Sequence, residues 1–559
     1  MGPNGLSGVA HGVAPPQDAD LPAAVDVLVV GLGPVGATVA NLLGRYGLRT
    51  LAIDKATEIY EAPRAIILDH EGMRVLQLAG LAEDAFDTIA IPYVRMWSPF
   101  LGEFARINTL GSVDGHAKVM SFYQPELERA LRKQLASHEC VQIALGVTLT
   151  GFEECADGLR ASLDLGQGRQ AAVRARYLIG ADGAASLVRK LIGQQFEGRT
   201  YGEDWLIVDA QGSAQPIDHV EFICDYRRPG PHMPAPGGRE RWEFMLKPGE
   251  NRTEMESDVR IQELLARAGS KAPLAIERKA VYRFHARTAK AFSKGRVFLV
   301  GDAAHVTPPF VGQGMVSGLR DAANLCWKLA WVIHGRAIPK ILDTYDEERR
   351  PHAQAMIDMA KFMGRLVMPR NAALALMTHG FMRLIWLIPP LRRKFEELEM
   401  MPKNVFPTGL FVRGRAGPKL VRGAVIAQGR VRRADGAVRL SDDIMGLGLT
   451  LVGFGHDPQA QLDEGLLERF VAAGGKVVQI AHRGQRMHVA QQRCWEDLDG
   501  VFLPGVAPMG WAAVLRPDRT ILHDGPVTDA NRLVRESLGL LCAPACAAAA
   551  VPNTSACNA

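Results

Sequence analysis

Three segments of the chain share one pattern: a run that is apolar at nearly every position, a turn, then a helix. Val25 to Val30 is the first run, and strands apolar on both faces belong inside a parallel sheet. Val35, Val39, Leu42, Leu43 and Tyr46 follow at helical spacing, and Gly47 ends that helix. Arg49 to Ile53 predicts a second strand and closes a β-α-β unit. The second segment, "ARYLIGADGAASLVRKLIG", is a strand ending at Ala181-Asp182-Gly183 with a short helix behind it. The third is a strand over Val297 to Val300 and a helix starting near Met315, with Leu319, Ala322, Ala323, Cys326, Leu329 and Ile333 on its core side. From Val281 to Ala289 the period is two: Tyr282, Phe284 and Ala286 alternate with Arg283, His285 and Arg287, as on a half-buried strand. Beyond residue 400, "GAVIAQGRV", "LTLVGFG", "GKVVQIA" and "WAAVLRPDR" read as short strands alternating with helices.

The turns carry the chemistry. Gly31, Gly33 and Gly36 have G-x-G-x-x-G spacing, with Asp54 at the end of the next strand. Gly31 permits the tight turn, Gly33 admits a pyrophosphate to the backbone, and Gly36 lets helix and strand pack. The helix N-terminus offers free N–H groups to phosphate, and Asp54 suits ribose hydroxyls. This is a dinucleotide site, and the motif alone does not choose between FAD and a nicotinamide. The stretch "GDAAHVTPPFVGQG", Gly301 to Gly314, makes that choice. Asp302 stands at the carboxyl end of a strand, where parallel sheets meet their ligands. A second acid on a remote strand suits the ribityl chain of FAD. Pro308 and Pro309 stiffen the path, Gly312-Gln313-Gly314 brings bare backbone to a flat object, and the helix near Met315 aims its positive end at it. A flavin ring, whose N1–C2=O edge becomes anionic on reduction, fits that description. His305 is read as fixing the loop by a hydrogen bond.

Composition narrows the class. The 559 residues exceed one ordinary core, and a net charge of +5 is too small to argue for nucleic acid. The eight cysteines form no CxxC pair and do not cluster with histidine, so neither a disulfide framework nor a metal site is expected, and a reducing, cytoplasmic location fits. The first two dozen residues lack the charged and apolar regions of a signal peptide. "AALALMTHGFMRLIWLIPP", Ala372 to Pro390, is interrupted by His379 and Arg383. It is read as a buried or packed helix and not as a membrane span.

The three motifs, in this order and spacing, resemble the single-component (class A) flavoprotein aromatic hydroxylases, as do "PRAIILDHEGMRVLQLAGL" and "YQPELERALRKQL". The likeness covers roughly residues 25 to 360. It implies an α/β fold: a Rossmann-like FAD-binding domain with an interleaved β-rich substrate domain. "WAAVLRPDR" is similar to the end of the thioredoxin-like C-terminal domain of phenol-type hydroxylases, which lacks the redox CxxC there as this chain does. The division expected is an extension over about 1–24, an FAD domain over about 25–400 with its substrate part at roughly 90–120 and 200–290, the thioredoxin-like domain over about 401–540, and a disordered tail over about 541–559. The resemblance further implies that Gly31, Gly33, Pro34, Val35, Gly36, Asp54 and Lys55 serve the ADP half. Arg64 and Gln124 lie by the cofactor, Asp182 serves FAD and the passage of NAD(P)H, Gly301 and Asp302 meet the ribityl chain, and Pro309, Gly312, Gly314 and Met315 meet the flavin.

Within the long members, the chain resembles the 3-(3-hydroxyphenyl)propionate hydroxylases, although "VTPPFVGQGM" lacks the tryptophan associated with their loop. That implies insertion of one oxygen atom from O2 ortho to a phenol, with NADH or NADPH as co-substrate, through a flavin C4a-hydroperoxide. Resorcinol, halophenols, nitrocatechols or polyketides are alternative substrates of the same chemistry, and an FAD-dependent reductase that does not use oxygen is a second alternative. The resemblance also implies a homodimer. Tyr282 and His285 are the candidate substrate contacts that activate the phenol. A carboxylate on the substrate calls for an arginine, and Arg227, Arg228, Arg239 and Arg241 all fall in the expected substrate part, within a Pro/Gly-rich loop joining strands.

Overall fold

The computed structural model describes residues 21–61, 64–397, 400–414, 420–485 and 493–542. The expected extension up to residue 20 and the expected tail from 543 onward lie outside the described residues. So does Pro63 of the "PRAIILDH" stretch.

The first β-α-β unit forms as its pattern dictates. Strand β1 (Ala24–Val30) runs into helix α1 (Pro34–Arg45) and then strand β2 (Thr50–Asp54). Val27, Leu28 and Val29 are fully buried, which is why the run carries no polar face. Helix α2 (Gln124–Leu135) packs beside α1 and leads to strand Val141–Leu145, the outer neighbour of β2. On the other side β1 pairs in parallel with β3 (Arg169–Gly180). The antiparallel strands Thr148–Cys155 and Gly158–Gly166 continue that edge.

The chain then builds a second sheet from β4 (Phe196–Gln211) and β5 (Ala275–Ala289), with strands Arg239–Met245, Gly230–Ala235, Val220–Ile223, Tyr93–Ser98 and Gly102–Asn108 beyond β4. One of its faces is apolar: Leu206, Val208, Trp242 and Phe244 pack on Ile261, Leu264 and Leu265 of helix Asp258–Arg267. The stretch read from sequence as a Pro/Gly-rich loop is in fact two strands with a turn at 236–238. Pro231 and Pro234 are both buried in a strand that is buried on both faces.

Strand β6 (Val297–Leu299) returns to the first sheet, parallel to β3. The turns after β1, β3 and β6 therefore emerge at one edge. Helix α3 (Gly314–Ile333) crosses α1 closely: a Cβ on Gly318 would lie 2.9 Å from the Gly301 Cα and 2.6 Å from Val35. Helix α4 (Thr344–Val367) and helix α5 (Ala372–Trp386) follow. The sequence reads α5 as a buried or packed helix, and it is packed on one side. Ala375, His379 and Met382 are buried and Ile385 and Trp386 partly so, while Leu376, Met377, Phe381 and Leu384 are more than half exposed. The apolar residues outnumber those its narrow contact face can bury. No single helix among the described residues is long and apolar enough to cross a membrane.

The C-terminal unit contains β7 (Leu449–Phe454), α6 (Glu464–Ala472), β8 (Gly475–Ala481), β9 (Trp511–Leu515), β10 (Ile521–Pro526) and α7 (Ala530–Leu541). Its core order is β8-β7-β9-β10, with β7 and β8 parallel and β9 antiparallel to both its neighbours. This is the thioredoxin-like βαβ–ββα arrangement. Buried ions join it to the first unit. The Glu348 carboxylate accepts hydrogen bonds from Arg516 at 2.7 and 2.9 Å and from Lys328 at 2.8 Å.

Candidate active site

The three turns line one continuous cavity of about 1290 Å³. Gly33 to Gly36 and Asp54 lie at one end, Asp302 and Gly312 to Met315 in the middle, and Phe222, Met233, Phe284, Phe310 and Met363 around an apolar chamber. The volume exceeds that of an ordinary small-ligand pocket, about 300–1,000 Å³.

The three glycines of the first turn do different work. Gly31 has φ +99°, and a Cβ there would lie 2.4 Å from the Ala181 carbonyl oxygen. On Gly36 it would lie 1.9 Å from the Gly31 oxygen. Both positions are closed by protein. A Cβ on Gly33 would meet nothing within 4 Å, so the space above it belongs to a ligand. Helix α1 starts there without a side-chain cap, leaving its positive end for an anion. Asp54 is held facing this turn, accepting from the Leu32 N–H at 2.7 Å and the Ala56 N–H at 2.8 Å.

Arg64 is positioned through its backbone. The Gln124 Oε1 accepts from the N–H groups of Arg64 and Ala65 at 2.9 and 2.8 Å, and Arg241 donates to the Arg64 carbonyl at 3.0 Å. Asp302 sits in the 3-10 turn Gly301–Ala303 and lines the cavity without a hydrogen bond from the described residues. Burial pushes its carboxyl up, against the pull of Arg64 and His305. The buried His305 bonds through Nε2 to Asp321 at 2.7 Å, and Asp321 also accepts from the Gly301 N–H at 3.0 Å and from Arg349 at 2.8 Å. Burial opposes ionisation of Asp321, but His305 and Arg349 hold its carboxyl below its ordinary value. Gln313 fixes the far end of the loop, donating to Asp69 at 2.8 Å and accepting from Arg320 at 2.9 Å. Gly312 has φ +64°, and α3 begins at Gly314 with no side-chain cap.

A dinucleotide with a flavin ring fits these residues. The open backbone at Gly33, two uncapped helix starts and the Asp302 carboxyl are spaced along one cavity. Of the residues expected on the cofactor, Gly33, Pro34, Val35, Gly36, Asp54, Arg64, Gln124, Asp302, Pro309, Gly312, Gly314 and Met315 line it. Gly31 and Gly301 lie behind it and shape its turns. Lys55 is exposed and does not line it. Oδ2 of Asp182 accepts from the N–H groups of Leu187 and Val188 at 2.7 and 3.1 Å, and Ala181 and Gly183, not Asp182, line the cavity.

Tyr282 and His285 both line the cavity. The Tyr282 hydroxyl accepts from Arg278 at 2.9 Å and lies 3.4 Å from the hydroxyl of Tyr60. Tyr60 is 56% exposed, which marks this end as the mouth. Burial raises the Tyr282 phenol, but Tyr60 and Arg278 outweigh it and hold it below its ordinary value. His285 Nδ1 is 3.1 Å from the Thr200 hydroxyl, and burial with Arg287 and Arg283 lowers its basicity. Arg227, Arg228, Arg239 and Arg241 pair with Asp225, Glu250, Glu277 and Asp209, and none lines the cavity. Sequence reasoning missed Tyr60, Arg278 and Glu243. The last was detectable from the alternation of Arg239, Arg241 and Glu243 with Glu240, Trp242 and Phe244, which marks a strand with one charged face.

The FAD binding domain family matches residues 24–360, and the HcaD C-terminal domain family matches residues 423–539. The 3-(3-hydroxy-phenyl)propionate/3-hydroxycinnamic acid hydroxylase 2 of Burkholderia vietnamiensis (strain G4 / LMG 22486) is 34% identical over 505 residues, 89% of this chain and 92% of its own. The 3-(3-hydroxy-phenyl)propionate/3-hydroxycinnamic acid hydroxylase of Comamonas testosteroni is 31% identical over 578 residues, 93% of this chain and 97% of its own. Among solved structures, the flavin-dependent monooxygenase PieE in complex with FAD and substrate superposes with a TM-score of 0.74 at 21% identity, covering 93% of this chain and all of its own. Aklavinone-11 hydroxylase with FAD and aklavinone gives 0.70 at 24%, covering 92% and 99%. These two share the fold. The chain belongs to the family of FAD-binding aromatic hydroxylases. It is an FAD-dependent aromatic monooxygenase, using NAD(P)H and O2.

Proposed function

We propose that the protein hydroxylates 3-(3-hydroxyphenyl)propionate or 3-hydroxycinnamate ortho to the phenol, giving a catechol. The relatives' names support this substrate class. The observation that carries it is the single cavity joining the cofactor turns to an apolar chamber of aromatic size with polar groups at its ends. Bound FAD supplies hydride acceptance and oxygen activation. The chain's residues do the rest. The α1 start at Gly33 to Gly36 holds the pyrophosphate, Asp54 the ribose, and Asp302 the ribityl hydroxyls. Gly312, Gly314 and Met315 press backbone against the ring, and Phe284, Phe310 and Met363 keep water out of the chamber. Tyr282, with Arg278 behind it, meets the substrate's carboxylate at the mouth, and His285 borders the same wall as a neutral ring.

The division into an FAD domain over about 25–400, with its substrate insert, and a C-terminal domain over about 401–540 belongs to the same reading, as does a homodimer. Six cysteines are unpaired among the described residues, which supports a reducing, cytoplasmic setting. Oxygen uptake with product analysis on 3-(3-hydroxyphenyl)propionate tests the substrate. A catechol formed in step with NAD(P)H oxidation is expected, and turnover of halophenols or resorcinol alone would replace the substrate.

A further inference from the structure

The chamber wall carries a buried carboxyl, that of Glu243. Glu243 lies on strand Arg239–Met245, in register with Ile207 of β4, which is itself in register with Ala280 of β5. It is 5% exposed and lines the cavity. Its carboxyl makes no hydrogen bond or ion pair with the described residues. A buried polar group left in that state is costly unless something else satisfies it, and what faces Glu243 is the space for substrate.

Its surroundings are ionic on one side only. Arg241 on its own strand donates to Asp209 on β4 at 2.6 Å, and Arg278 on β5 approaches the same carboxylate at 3.3 Å. Two guanidiniums thus share Asp209 beside Glu243. Arg239, paired with Glu277, and Tyr282 are further titratable groups on that sheet face, and Arg64 lines the cavity with Tyr282. Tyr282 is in register with Trp205, so it and Glu243 are two strands and two residues apart, roughly 12 Å between Cα atoms at ordinary sheet spacing. Tyr282 is at the mouth and Glu243 is deep. An arylpropionate spans such a gap with its carboxylate toward Tyr282, whose hydroxyl Arg278 bonds from behind, and its phenol toward Glu243.

We propose that Glu243 is a catalytic residue that accepts the phenolic proton of the bound substrate. The phenol O–H bond breaks, an O–H bond forms on a Glu243 carboxylate oxygen, and the electron pair stays on the substrate oxygen as phenolate. Nothing is oxidised or reduced in this step. The negative charge moves from Glu243 to the substrate, so no new buried charge is created. Burial raises the Glu243 carboxyl to about 7, with Arg241 pulling it down, Asp209 pushing it up and Arg278 pulling it down. A base poised there works near neutral pH.

This assignment rests on the reading that the substrate is a phenol, and the test separates the two. The FAD-loaded full chain is assayed by oxygen uptake and catechol formation on 3-(3-hydroxyphenyl)propionate across pH. Wild type is expected to gain kcat/KM with rising pH through about 7. Glu243→Gln is expected to lose that rise and to turn over on the order of 10²–10⁴-fold more slowly, recovering only as the phenol ionises by itself near about 10. Glu243→Asp should restore part of both, with unchanged FAD content. A Gln variant that keeps the wild-type rise and rate overturns the proposal. If the Gln variant does not fold, ultraviolet difference spectra of the phenol bound to oxidised wild-type enzyme decide. Phenolate absorption growing through neutral pH supports the assignment, and a bound phenol that stays protonated to about 10 overturns it. A wild-type enzyme that oxygenates no phenol refutes the substrate reading instead.

Discussion

Replacing Gly33 with valine separates a ligand-facing glycine from a packing one. Gly33 has φ −69° and ψ −173°, extended backbone open to any residue, and its Cβ direction is empty to 4 Å. The variant therefore meets no clash in the apoprotein. Less backbone freedom in the unfolded chain gains about 0.4–1 kcal/mol, and the loss of a favourable N-cap residue costs a similar amount. Apo stability should stay within about 1 kcal/mol of wild type. The valine methyl groups occupy the pyrophosphate space, so FAD should not be retained. Wild type at an FAD concentration 100 times its Kd gains about 2.7 kcal/mol from the ligand. At roughly 2–4 °C per kcal/mol, and less for a unit larger than about 250 residues, that is a gap on the order of 5 °C. Gly36→Val is the control: its Cβ would lie 1.9 Å from a carbonyl oxygen, so it should lower the melting temperature even without FAD. The assay is thermal unfolding of each protein with and without FAD, beside the FAD-to-protein absorbance ratio. A Gly33→Val protein carrying stoichiometric FAD, or an apo form melting far below wild-type apoprotein, would refute the reasoning.

Asp302→Ala should fold and lose FAD during gel filtration, because the carboxyl has no structural partner to release; a variant that stays yellow denies it the ribityl contact. Tyr282→Phe removes the hydroxyl that Arg278 bonds and should raise KM for the arylpropionate with kcat little changed; an unaltered KM returns Tyr282 to packing. Glu348→Gln leaves Arg516 and Lys328 buried without their shared anion and should cost about 3–5 kcal/mol, read as an earlier urea midpoint. The acid limb follows from the same group. Burial alone would raise the Glu348 carboxyl, but Arg516 and Lys328 hold it far below the usual range. Its contribution is complete above the unfolded value of about 4.3 and is lost as pH falls toward the folded one. Glu348→Gln should flatten that limb, and an unchanged acid midpoint would contradict the assignment.

The cofactor half of the site was legible because its chemistry is local. A strand, a glycine turn and a helix start are consecutive in the chain, so spacing alone places Gly33, Asp54 and the 312–315 loop. Asp302 was found by the same logic, at the end of an apolar run. The substrate half was not legible in this way. Glu243, Arg278 and Tyr60 come from three distant segments, and only sheet register and the cavity bring them together. At α5 the apolar run indicates a buried or packed helix without telling which; it packs along one side and leaves Leu376, Met377, Phe381 and Leu384 outward. Two prolines disguised strand Gly230–Ala235 as loop. The four arginines of the expected substrate part pair with Asp225, Glu250, Glu277 and Asp209, which single-residue reasoning does not reveal.

The most direct measurement is product analysis under labelled oxygen. FAD-loaded protein, NADH or NADPH and 3-(3-hydroxyphenyl)propionate are incubated under 18O2, and the product is examined by mass spectrometry. The account predicts a catechol carrying one labelled oxygen atom, formed in step with oxygen uptake. Oxygen consumed with no label in any aromatic product would contradict it.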